Sequence, residues 1–408
     1  MPTIKPEEGE QGNNRKRCRE VFCAFAKLGV IAFGGPIAHL GYFREELVAR
    51  RKWVNEAQYA ELVALCQFLP GPASSQVGFA LGLVRGGGLG ALLAWVAFTL
   101  PSALLLVLLA VGVLSLTEPI GAGLLLGLKA VAVAVVAHAV WGMARTLTPD
   151  LRRLLIAGIA VILSVTLPGS LGNSAAILFG LAAGILWCKR TTPVFAEPLV
   201  LHVSRKVSVA ALVMFGLLVV GLPVLACIVR NPWVELVDAF IRAGAFVFGG
   251  GHVVLPLLQA EPAISGGVTH DQFLAGYGAA QAVPGPLFTF AAYLGFEMHN
   301  GWAAPLAAMV ALVTIFVPGM LLLIGVFPFW EQLRRNMTVR AAMAGTGAAV
   351  VGILAAALWT PVITSGITGI VPLIIALGCF ALLVVWRLPA WVVVLAAAGA
   401  GIVAGVTH

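Results

Sequence analysis

Charge is scarce in this chain: of 408 residues only 10% are Asp, Glu, Lys or Arg, while 60% are hydrophobic and mean hydropathy is +1.01. That balance excludes an ordinary soluble domain. Acidic residues are the scarcer sign, 17 against 25 Lys and Arg. They fall in tails, loops and helix ends, with Glu61 the most nearly embedded. A carrier of metal ions or other cations wants a buried carboxylate, so that class is disfavoured. Period-two alternation is missing, which excludes a β-barrel. The six cysteines (Cys18, Cys23, Cys66, Cys188, Cys227, Cys379) include no CxxC pair and mostly have apolar neighbours, so they read as structural. No GxxxxGK[ST] loop appears, and neither acids nor histidines cluster as a catalytic dyad or metal site would; an enzyme is not expected, nor a cofactor.

What remains is a polytopic, all-α membrane protein. Apolar runs recur at Leu89–Leu114, Gly121–Met143, Val207–Val229 and Pro305–Phe327, each near the roughly 20 residues that cross the hydrocarbon. The start, MPTIKPEEGEQGNNRKRCRE, has no short apolar core with a cleavage site; residues 1–20 read as a disordered cytosolic tail.

The chain repeats itself. Phe25–Gly29 and Phe33-Gly34-Gly35-Pro36 align with Phe240–Gly244 and Phe248-Gly249-Gly250-Gly251 at an offset of 215; Gln67 and Pro70-Gly71-Pro72 align with Gln281 and Pro284-Gly285-Pro286 at 214. Pro101–Leu106 aligns with Pro318–Leu323 at 217. A first repeat over 21–188 and a second over 236–408 follow, joined over 189–235 by a linker with one transmembrane helix. Lys and Arg stay in cytoplasmic loops, and the net charge of +8 is read that way rather than as a nucleic-acid footprint. If the stretches around Gly34-Gly35 and Pro70-Gly71-Pro72 enter and leave on one face, 21 of the 25 Lys and Arg are cytosolic, three are intramembrane and only Arg230 is outside. The alternative, kinked full spans, moves Arg44, Arg50, Arg51 and Lys52 outside, so re-entrant hairpins are preferred. The two repeats then have inverted topology, with the N-terminus cytoplasmic and the C-terminus periplasmic. That is the architecture of transporters with a midplane site between broken helices.

A half-helix such as Ala57–Leu69 is about 20 Å long, enough to pass the middle of a bilayer roughly 30 Å thick. Its PGP tip then lies deep, and a helix starting there offers unpaired N–H groups and a partial positive charge to an anion. Ser74, Ser75 and Thr289 add hydroxyls, and Gln67, Gln76 and Gln281 add amides. Lys27 and Arg242 occupy equivalent positions, and Lys129 lies mid-span; they are candidate counter-charges, although Lys27 and Arg242 are also placed to snorkel. His39 and His252 follow the glycine tips and either donate to an anion or pack structurally. The other histidines look incidental.

The stretch FAKLGVIAFGGPIAHLGYFREELVARRKW, the duplicated PGP and FVFGGGHVVLP resemble the two-repeat chromate ion transporters over nearly the whole chain beyond residue 20. The family motif covers Phe33, Gly34, Gly35, Pro36, His39, Arg44, Glu46, Arg51, Trp53, Gln67, Pro70, Gly71 and Pro72. In the second half it covers Gly249, Gly250, Gly251, Pro256, Gln281, Pro284, Gly285 and Pro286. The resemblance implies a bacterial inner-membrane exporter of chromate that confers resistance, with sulfate as an analogue; a sulfate-type importer is the alternative and a homodimer is compatible. Two departures stand out: Ala73-Ser74-Ser75-Gln76 follows the first PGP where many relatives have Asn-Ala-Thr-Gln, and His252 stands where Tyr is common.

Overall fold

The computed structural model describes residues 8–115, 120–188, 203–248 and 250–407. Of the expected disordered tail, residues 1–7 lie outside that range, and residues 8–20 are helical instead. They begin α1 (Glu8–Ile31), held where Glu20 accepts from Trp53 and Arg85 at 2.9 and 2.8 Å. The first repeat continues through α2 (Gly35–Phe43), a π-helical turn (Arg44–Arg50), α3 (Glu56–Phe68), α4 (Ala73–Ser115), α5 (Ile120–Leu147), α6 (Leu151–Thr166) and α7 (Ser170–Trp187). The linking helix is α8 (Arg205–Val229). The second repeat comprises α9 (Pro232–Ala245), α10 (Val254–Gln259), α11 (Pro262–Gly267), α12 (His270–Ala280), α13 (Phe290–Glu297) and α14 (Ala303–Val326). It ends with α15 (Trp330–Arg335), α16 (Met337–Ala357), the single turn α17 (Thr364–Gly366), α18 (Ile370–Val384) and α19 (Ala390–Thr407). Among the described residues there is no strand, and seven helices are long and apolar enough to cross a membrane.

The broken segments fold back on themselves. In α4 the helix doubles back at Gly86 and Gly87, where φ is 63° at Gly87, and a Cβ on Gly82 would lie 2.6 Å from the Gly90 carbonyl oxygen. The arms 73–85 and 88–115 are therefore antiparallel. Arg85 then meets Glu20, Glu20 meets Arg51 at 3.8 Å, and Arg44 meets Glu56 at 2.8 Å, so the ends of both hairpins gather in one basic cluster. In the second repeat Gln272 donates to Glu297 at 2.8 Å and Trp233 stacks near His299, which gathers the corresponding ends in the same way. Between the two clusters the chain runs through the second arm of α4 and then α5 to α8.

The repeats are interlocked rather than side by side. α5 packs against α18 and α19, while α16 packs against α6 and α7. Small residues make the crossings: Gly127 meets the Ala397 backbone, and Gly345 meets Gly180 and Gly184. In a membrane such close backbone approach supplies the van der Waals contact that drives helix association. α8 instead exposes Val213, Leu217, Val220, Val224 and Ile228, the apolar surface a bilayer covers.

Candidate functional site

The four tips meet. Gly71 donates its N–H to the Val247 carbonyl at 2.7 Å, and Gly285 donates to the Ala32 carbonyl at 2.9 Å, so each PGP turn is tied to the glycine tip of the other repeat. A Cβ on Gly251 would sit 3.6 Å from Pro36 and from Leu287. Both PGP glycines have positive φ, 121° at Gly71 and 100° at Gly285, a region that side chains rarely adopt. The first repeat starts true α-helices at its tips, α2 after the left-handed Gly34 and α4 at Ala73. The second repeat starts each with a single 3₁₀ turn, Gly251–Val253 and Leu287–Thr289. Gly249 lies outside the described residues, while Gly250 has φ 148°.

The polar side chains are unevenly used. His39 Nδ1 is 3.3 Å from the Ser74 hydroxyl, joining the two hairpins of the first repeat. Gln76 donates to the Pro70 and Gly319 carbonyls at 3.1 and 2.9 Å, and a Cβ on Gly71 would lie 3.1 Å from the Gly319 Cα. From the first repeat to the second, Ser102 donates to the Pro284 carbonyl. Ser75 is 2% exposed and its hydroxyl has no partner. Thr289 donates to its own Pro286 carbonyl at 2.7 Å, which satisfies the hydroxyl locally. Gln281 keeps a buried amide nitrogen without a partner, Gln67 is exposed, and His252 pairs with the Tyr277 hydroxyl at 2.8 Å.

The three candidate counter-charges are already paired. Lys27 meets Glu46 at 2.7 Å; Arg242 meets Glu261 at 2.5 Å and Asp238 at 3.0 Å; Lys129 meets Asp271 at 2.6 Å. The acids are correspondingly less peripheral than their positions in the sequence suggest: Glu46, Glu61, Asp238 and Glu261 are all buried. Glu61 accepts from Trp330 and Arg334 of the second repeat, at 2.5 and 2.8 Å. Burial alone would raise Glu46, but hydrogen bonds from Lys27 and Arg51 outweigh it and hold its carboxyl down at about 2.

Residues the sequence reading passed over complete the picture. Trp95, Thr99 and Ser102 share one face of the second arm of α4; Trp95 packs on Phe316 with ring centroids 5.6 Å apart, and Ser102 reaches Pro284. Thr99 between them is 1% exposed, and neither its hydroxyl nor the buried Trp95 indole nitrogen has a partner. The signal was available as a polar stripe at i, i+4 and i+7 within AWVAFTLPSA.

A profile of chromate transporters matches residues 19–188 and again 234–402, one copy on each repeat. The chain belongs to the chromate transporter family. Among its relatives, a probable chromate transport protein of Synechococcus elongatus is 29% identical over 82% of this chain and 82% of that one. Chromate transport proteins of Pseudomonas aeruginosa and Cupriavidus metallidurans are 27% and 28% identical, each over 83% of this chain and over 79% and 81% of theirs. No solved structure matches. In this member of the chromate transporter family, Pro70-Gly71-Pro72 and Pro284-Gly285-Pro286 lie where the two profile copies meet through main-chain bonds.

Proposed function

We propose that the protein carries a tetrahedral oxyanion, chromate, out of the cytoplasm of a bacterium across its inner membrane and so confers chromate resistance. The observation that carries this reading is the tied set of four broken-helix tips with Ser75, Thr99 and Trp95 beside them, buried donors whose protons go unused. Charge-assisted hydrogen bonds to such donors are the strong ones, and helix N-termini add favourable dipoles. Ser74, Ser75, Gln76, Thr99, Trp95 and His39 are the proposed ligands. The backbone of Gly34–Pro36, Pro70–Pro72, Gly250–Gly251 and Pro284–Pro286 shapes the site. Lys27, Arg242 and Lys129 act through their ion pairs rather than as free counter-charges. The basic cluster is taken as cytosolic because Lys and Arg in short loops stay inside.

Direction follows from electrostatics. A dianion leaving a negative interior gains about 2.3 kcal/mol per charge per 100 mV, roughly 4.6 kcal/mol in all. That supports a gradient of about three decades. Because each repeat's last helices pack on the other repeat, movement involves the two interlocked bundles, α5 with α18 and α19, and α16 with α6 and α7. The test is chromate and sulfate flux in proteoliposomes under an imposed potential. Electrogenic chromate movement toward the positive side, lost in the Ser75→Ala/Thr99→Val double variant, is expected. Sulfate accumulation in the negative compartment that requires a cation gradient would replace export with import.

A further inference from the structure

The two ion clusters hold equivalent places and carry opposite charge balances. Lys27 and Glu46 are 19 residues apart, as are Arg242 and Glu261. Around Glu46, however, stand three cations, Lys27, Arg50 and Arg51, at 2.7, 3.3 and 2.8 Å. Around Arg242 stand two carboxylates, because Asp238 occupies the position of Cys23. Both acids bind the same guanidinium nitrogen, Nη2.

One guanidinium balances one carboxylate. Ionising both acids leaves an uncompensated negative charge where their side chains are only 6% and 4% exposed, and burial makes such a charge costly. Asp238 Oδ1 is buried and accepts no hydrogen bond, so a lone pair is available beside a second carboxyl. Water has a place to stand: Ser170, Asn173 and Ser174 of α7 wall a small cavity against Arg242 and Glu261, large enough for about one molecule. Asn173 is itself fixed, donating to the Pro256 carbonyl and accepting from Ser164, each at 3.1 Å. Of the elements packed on α9, α10, α11 and α14 carry no ionisable side chain; α8 is followed by Arg230 on the same face, and Glu235 lies one turn earlier on α9.

We propose that Asp238, Arg242 and Glu261 form a proton-binding site, with a single proton shared between the two carboxyls, on the face that inverted topology sets opposite the basic cluster. Loading takes the triad from net negative to neutral. Burial pushes Glu261, outside the spanning helices, up to about 7, with Arg242 opposing and Asp238 reinforcing. An unloaded triad repels a dianion passing that face and a loaded one does not. Flux therefore rises as the pH on that face falls, a consequence that rests on the oxyanion reading, whereas proton binding does not.

Infrared titration of the purified full-length protein reads the proton directly, through the carbonyl band of a protonated carboxyl. The wild type is expected to lose such a band as pH rises through neutrality, E261Q to lack it, and D238N to lose it at least one pH unit lower. E46Q leaves it unchanged. Absence of the band from the wild type between about pH 5 and 8 overturns the proposal, whether or not the variants fold. So does an identical titration in E261Q and D238N. A band that titrates as expected in a protein that moves no oxyanion supports the proton site and removes the transport reading instead.

Discussion

The two repeats share their backbone contacts and differ in the side chains around them. Gly29 lies against the Ala97–Phe98 backbone and Gly244 against Ile315; Gly71 reaches Val247 and Gly285 reaches Ala32; Gly127 meets Ala397 and Gly345 meets Gly180. At the tips, the first repeat presents His39, Ser74, Ser75, Gln76, Trp95, Thr99 and Ser102. The second has Val254, Phe288, Thr289, Phe290, Leu312, Phe316 and Gly319 at the aligned positions. Close crossings admit few residues, so duplication preserves them. Donors face no such restriction. On the proposed reading one set suffices to hold an anion, and the other half is free to become an apolar wall.

If the crossings are equivalent, they should fail alike. Gly127→Leu and Gly345→Leu each drive a side chain into opposing backbone, and each is expected to cost about 3 kcal/mol or more and to abolish folded protein on size exclusion in detergent. Survival of one and loss of the other would break the equivalence. The ion clusters should fail unequally. Glu46→Gln strands three cations, an expected loss of about 2–3 kcal/mol in thermal unfolding, reduced from the usual cost of a broken buried pair because Lys27 is partly exposed. Glu261→Gln leaves Arg242 with Asp238 and is expected to cost clearly less.

How much of this was legible follows from what each feature depends on. The duplication, the spans and the broken helices were legible because glycine, proline and long apolar runs act locally; predicted Val207–Val229 became α8, Arg205–Val229. That the glycine tips bind the opposite PGP was not, since main-chain hydrogen bonds leave no residue signature. Nor were the ion pairs. Glu46 and Glu261 follow short helices that fold back on the first helix of each repeat, so residues in apparent loops arrive beside Lys27 and Arg242. The repeated spacing of 19 between cation and acid was the available clue. The exchange of α18 and α19 onto α5 depends on tertiary crossing of small residues that are abundant everywhere in this chain.

The acids also predict opposite pH responses. Glu46, held at about 2 against an ordinary 4.5, contributes stability that is present above pH 4.5 and is lost as pH falls from there toward 2. Glu261, raised to about 7, binds its proton more tightly when folded, so stability declines as pH rises from 4.5 to 7 and is level beyond. Denaturation followed across that window should slope downward in wild type by about 3 kcal/mol and flatten in Glu261→Gln. A slope that persists in Glu261→Gln would assign the titration elsewhere.

The smallest expected effects test the donors. Thr99→Val keeps shape and removes a hydroxyl that has no partner within the protein, so stability should be unchanged or slightly improved. If that hydroxyl donates to a bound dianion, the lost charged hydrogen bond is worth about 1.5–3 kcal/mol, and the half-saturating chromate concentration rises roughly ten- to a hundredfold. Ser75→Ala should behave the same way. Thr289→Val removes a hydroxyl already donated to Pro286, so the expectation reverses: about 1 kcal/mol of stability is lost and half-saturation stays within roughly twofold. Flux titrations and melting curves on the three variants separate the cases. Equal affinity losses for Thr99→Val and Thr289→Val would mean that both repeats hold the anion, and the apolar wall at Phe288, Phe290 and Phe316 would have to open to let the second one in.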